Sequence, residues 1–75
     1  MKLKEARAKC RELAIGANTY WWPLCWTKQH GYYPAVARYP KDSNQICYVY
    51  KNGTFMYATK EDEKKHNLKG NIRTI

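Results

Sequence analysis

The sequence predicts an α+β domain, an N-terminal helix packed on a three- or four-stranded antiparallel sheet with a short C-terminal helix or tail, and three observations carry that prediction. Apolar residues recur at helical spacing over residues 2–15. Composition then shifts to aromatic and β-branched residues over 20–58. Within that stretch Asn52-Gly53 separates two apolar runs, the strongest short signal for a β-hairpin.

In the first element Leu3, Ala6, Cys10, Leu13 and Ala14 form the apolar stripe, and Lys2, Lys4, Glu5, Lys9, Arg11 and Glu12 surround it. Glu5 and Lys9 stand at i,i+4 as a favourable pair. Gly16, just past the last periodic residue, is the expected stop.

Strands are expected over about 20–27, 32–39, 45–51 and 54–58, joined at Lys28–Gly31, Pro40–Asn44 and Asn52-Gly53. Tyr20, Trp22, Leu24 and Trp26 share one face of the first, and Trp21 points the other way with Cys25. Pro23 cannot donate to a ladder, which suggests an edge strand or a bulge. Thr59 is placed to cap a helix through about His66, with Glu61, Asp62 and Glu63 in its first turn. Residues 67–75 are a strand or a frayed tail. All of this fits one domain over 1–75, without repeats.

A two-residue loop at Asn52-Gly53 would pair Tyr50 with Phe55 and Tyr48 with Tyr57. Tyr48, Tyr50, Phe55 and Tyr57 would then form an aromatic ladder on one face, with Cys47, Val49, Met56 and Ala58 on the other. Since both faces are apolar, the hairpin is covered twice or binds with one side. Either the helix lies on the aliphatic face and leaves the ladder accessible, the preferred arrangement, or the ladder is core.

Charge bounds the function. Fourteen Lys and Arg against six Asp and Glu give +8, a field that attracts polyanions. It divides as +3, +2, +1 and +2 over residues 1–15, 16–44, 45–58 and 59–75. With no basic tail, any basic surface is assembled by folding. Three widely spaced cysteines without a C-x-x-C pair argue against a secreted disulfide scaffold, and the charged start lacks an apolar signal core. A cytoplasmic protein without membrane insertion is expected.

Catalytic chemistry finds little support. Cys25, His30, Cys47 and His66 are zinc-binding types, but only Cys25 and His30 are closely spaced, where structural sites show two tight ligand pairs. The thiols read as buried and inert, and Glu61, Asp62 and Glu63 as helix-start residues. Asn52-Gly53-Thr54 matches a glycosylation sequon that the turn already explains. Neither an enzyme, nor a cofactor, nor a metal site is expected.

What remains is basic charge interleaved with rings, the composition of nucleic-acid binders, in which cations neutralise phosphates and rings stack on bases. The candidates are Lys4, Arg7 and Arg11 on the first helix, Lys28 and Arg38 in the sheet region, and Tyr48, Tyr50 and Tyr57 as rings. Whether the nucleic acid would be single-stranded or duplex stays open. The alternative is a protein-binding module, such as a small inhibitor or adaptor of the kind phages and mobile elements encode, with Trp21, Tyr50 and Phe55 as anchors. In layout alone, the run from Tyr32 through Asn67, with its strands and a helix opening at Thr59-Lys60-Glu61, resembles the three-stranded sheet plus helix of integrase arm-binding DNA domains. That resemblance covers about half the chain and implies nucleic-acid binding without assigning residues.

Overall fold

The computed structural model describes residues 1–38, 43–66 and 72–74, the last as backbone only. Helix α1 spans Leu3–Gly16. Strands β1 (Trp21–Thr27), β2 (Gly31–Pro34), β3 (Gln45–Tyr50) and β4 (Phe55–Tyr57) follow, then helix α2 (Lys60–His66) and strand β5 (Ile72–Thr74). The sheet order is β2-β1-β3-β4-β5. The first four strands are antiparallel, as expected, and β5 adds a parallel partner to β4. Because β2 pairs with β1 and not with β3, strands β2, β3 and β4 form no three-stranded meander, and the layout resemblance ends there.

Small side chains set how α1 docks. Ala6, Cys10 and Ala14 form a straight i,i+4,i+8 line with no exposed surface, so the helix backbone lies close to the sheet. The helix runs through Gly16, one residue past the expected span, and the left-handed residue that closes it stands two positions further on. Asn18 takes the left-handed conformation (φ 55°), while the Thr19 amide donates to the Ala14 carbonyl at 2.9 Å and the Asn18 amide to that of Ile15 at 3.1 Å. These two bonds are a Schellman closure, with asparagine in the position glycine usually fills. Lys9 pairs with Glu12 at 3.6 Å, both exposed, an ion pair worth little.

Pro23 lies in a central strand, not an edge. It falls one residue beyond the last β1–β2 pair, Leu24 with Pro34. Its carbonyl accepts from the Ala35 amide at 3.1 Å, and the missing N–H falls where the β2 ladder has ended. The expected irregularity sits at the next residue, where the β1–β3 register shifts from Leu24–Cys47 to Cys25–Gln45 and leaves Ile46 unpaired with β1. This bulge turns Ile46 and Cys47 both toward the core.

The β3–β4 hairpin departs from the two-residue loop. Tyr50 donates to the Thr54 carbonyl at 2.8 Å and Gly53 to that of Tyr50 at 3.0 Å, closing a loop of Lys51, Asn52 and Gly53. A type I′ turn needs positive φ at both Asn52 and Gly53. Only Gly53 has it (φ 92°), because the Asn52 side chain accepts from the Thr54 amide (3.0 Å) and hydroxyl (2.7 Å). The added loop residue moves β4 by one position, so Cys47 faces Tyr57, Tyr48 faces Met56 and Val49 faces Phe55. Each β4 side chain changes sides.

The expected ladder therefore divides. Phe55 and Tyr57 join Cys47, Val49, Leu24, Ile46, Ala6 and Cys10 in the core, with Leu3, Trp22, Trp26 and Tyr32 against it. Tyr48, Tyr50 and Met56 point to the opposite face and are half-buried. Helix α2 completes the helical layer: Thr59 caps it, accepting from the Asp62 amide at 3.1 Å and donating to the Asp62 carboxylate at 2.9 Å. Its last residue, His66, meets Trp26 and Tyr32. Among the described residues no helix is long and apolar enough to cross a membrane.

Candidate ligand-binding face

With both helices on one side, the other side of the sheet presents Trp21 from β1 beside Tyr48 and Tyr50 from β3 and Met56 from β4. Trp21 is the direct cross-strand partner of Tyr50. Its ring also meets Tyr48 edge-on, centroids 4.7 Å apart and planes at 88°. Arg38, beyond the end of β2, lies over Trp21 with its guanidinium carbon 4.3 Å from the ring centroid. That contact holds a cation against the indole face. Deeper on the same side, Pro23, Cys25 and Gln45 are buried and give the rings a fixed floor.

At the strand end next to Trp21, Tyr20 is 73% exposed. Its carbonyl accepts from the Lys51 amide at 3.0 Å, and the Lys51 ammonium stands 5.1 Å from its ring centroid. The carboxylates lie elsewhere. Among the described residues all five, Glu5, Glu12, Glu61, Asp62 and Glu63, belong to the two helices. Among the described residues this face is thus aromatic and cationic, with the carboxylates on the opposite layer.

The residues expected to bind are accordingly split. Arg38, Tyr48 and Tyr50 come together, joined by Trp21, expected instead as a protein-binding anchor. Tyr57 has no exposed surface and Phe55 only 1%, so neither is a surface ring; the shifted register explains both. Lys28 is exposed in the β1–β2 turn, about 20 Å along the strand from Trp21. Lys4, Arg7 and Arg11 lie on α1, across the sheet from the rings. Two of them fasten the hairpin: Arg7 Nη2 donates to the Gly53 carbonyl and its guanidinium carbon stands 4.4 Å over the Phe55 ring, and Arg11 Nε donates to the Lys51 carbonyl at 2.9 Å. Met56 and the Tyr20–Lys51 pair were missed. The competing use of Asn52 as a side-chain acceptor was the available signal for Met56.

A second cluster sits where α2 meets β1 and β2. Tyr32 Oη and His66 Nδ1 are 2.9 Å apart. Trp26 packs edge-on against the His66 ring at 5.1 Å, and the Lys65 ammonium lies 4.3 Å from the Trp26 ring centroid. Burial holds the His66 imidazole below its ordinary pKa, Asp62 opposes that shift and Lys65 adds to it. Burial also raises the Tyr32 phenol.

The thiols are chemically quiet. Burial, reinforced by Cys25, pushes Cys10 up to about 12. Burial, then Asp62 and Cys10 against an opposing Arg7, does the same for Cys47, to about 12. Cys47 and Cys25 point to opposite faces of the sheet, and among the described residues no three His, Cys, Asp or Glu side chains converge on a metal position. Comparisons with protein families, with curated proteins and with solved structures found no match to this chain.

Proposed function

We propose that the helix-free sheet face binds single-stranded nucleic acid. The observation that carries this reading is the grouping of Trp21, Tyr48 and Tyr50 with Arg38 on one face that holds no carboxylate among the described residues. Bases stack on Trp21, Tyr48 and Tyr50, each such contact contributing about 1–3 kcal/mol. Arg38 meets the neighbouring phosphate or an adjacent base plane, and the net +8 raises the encounter rate. A duplex hides its base faces, so these rings favour an unpaired strand.

A second reading rests on Met56 beside the three rings. A contiguous aromatic and thioether patch is also what a protein partner buries at the centre of an interface. Three reduced, buried thiols fit a reducing compartment such as the cytoplasm under either reading.

Fluorescence anisotropy of labelled single-stranded DNA, RNA and duplex DNA, repeated across a salt series, tests the proposal. Tighter binding of a single strand than of duplex, persisting at moderate salt, is the expected result. Equal, weak binding of every form that vanishes with salt would reduce the charge to nonspecific attraction and favour the protein-partner reading.

A further inference from the structure

On the opposite side of the molecule, a groove of about 410 Å³ runs between α1 and the β3–β4 loop. From α1, Lys4, Arg7, Ala8, Arg11, Glu12 and Ile15 line it, and Gly53 lines it from the loop. Ile15, 57% exposed, and Ala8 lie two turns apart on the helix and give the groove an apolar strip that Glu12 interrupts.

The two arginines are fixed before any ligand arrives. Backbone carbonyls of Gly53 and Lys51 each take one N–H, from Arg7 Nη2 and Arg11 Nε. A guanidinium has five N–H donors, so most of each fork stays available for an anion. Among the described residues neither arginine pairs with a carboxylate, and their positions one helical turn apart, with Lys4 one turn earlier, set three cations beside the apolar strip.

We infer that this groove docks an acidic, amphipathic segment of a partner protein, which lays carboxylates on Lys4, Arg7 and Arg11 and apolar side chains on Ala8 and Ile15. Charge complementarity identifies the occupant. A nucleic-acid strand fits less well: the lining residues include no ring, and Phe55, beneath Arg7, is buried and cannot stack on a base. The protein would thereby hold a nucleic-acid strand on its sheet face and an acidic protein on its helix, independently of each other.

The test is an amide-resolved NMR titration of the isotopically labelled full chain. One probe is a synthetic amphipathic peptide with Glu on one face and Leu on the other; a second is a peptide of the same composition in scrambled order; a third is a single-stranded oligonucleotide. The amphipathic peptide is expected to shift Lys4, Ala8, Arg11, Ile15 and Gly53 and to leave Trp21, Tyr48 and Tyr50 in place. Lys4→Glu with Arg11→Glu is expected to weaken peptide binding roughly tenfold or more, with the oligonucleotide still shifting Trp21, Tyr48 and Tyr50. Absence of shifts at millimolar peptide, equal binding of the scrambled peptide, or oligonucleotide shifts centred on α1 would overturn the inference. Failure of the oligonucleotide to shift the sheet face would count against the nucleic-acid reading alone.

Discussion

Val49 stands directly opposite Phe55 in the β3–β4 ladder, and both are buried against α1. That pair fixes which rings of the hairpin are core and which reach solvent. Replacing Phe55 by Ala is therefore expected to cost about 3–5 kcal/mol of stability, the range for deleting a buried aromatic side chain. Tyr50→Ala, on the open face, is expected to cost about 1 kcal/mol or less. Urea unfolding followed by tryptophan fluorescence separates the two; equal losses would mean the face assignment is wrong.

Two glycines are expected to respond oppositely to one substitution. A Cβ on Gly53 meets nothing within 4 Å, so the cost of Gly53→Ala is the left-handed backbone itself (φ 92°), about 1–2 kcal/mol. Gly16 also has open space, but it closes α1 with no positive φ. There Ala raises stability by about 0.5–1 kcal/mol. Thermal unfolding of both variants checks the signs.

Much of the helical layer was legible because its cause is local. Ala6, Cys10 and Ala14 repeat at helical spacing, Thr59 precedes a run of acids, and alternation along β1 correctly separated Trp21 from Trp22. The hairpin faces were not legible from alternation alone, because one loop residue inverts β4. That residue depends on whether Asn52 adopts positive φ or spends its side chain on Thr54. The same limit applies to Arg38 on Trp21 and to Arg7 on Gly53, which join residues distant in the chain. Pattern and charge named candidate residues, and only the path of the backbone showed which of them share a surface.

His66 gives stability a pH dependence with a definite sign. Burial lowers its pKa in the folded chain from 6.5, so between the two values the unfolded chain binds more protons and stability rises with pH. The contribution is complete above the unfolded value and is lost as pH falls through the folded one. Urea midpoints are expected to drop as pH falls below about 6.5, and His66→Gln to flatten that slope. An unchanged slope in the variant would remove His66 as its source.

The thiols should be silent until the protein opens. Cys10, Cys25 and Cys47 are all buried, and thiolate is the reactive form. Iodoacetamide at neutral pH is expected to leave the folded chain unmodified and to alkylate all three after denaturation, read by mass spectrometry. Rapid alkylation of the native protein would show that the core around α1 is not closed.

The most direct measurement compares single-strand affinity in Trp21→Ala, Tyr48→Ala and Tyr50→Ala with that in Lys28→Ala, at one salt concentration and after confirming folding by circular dichroism. Each ring truncation is expected to weaken binding by about 1–3 kcal/mol, roughly five- to 150-fold. Lys28→Ala should change it by no more than one phosphate contact. Ring variants that bind like the unmodified protein, with affinity following charge alone, would contradict the assignment of the sheet face.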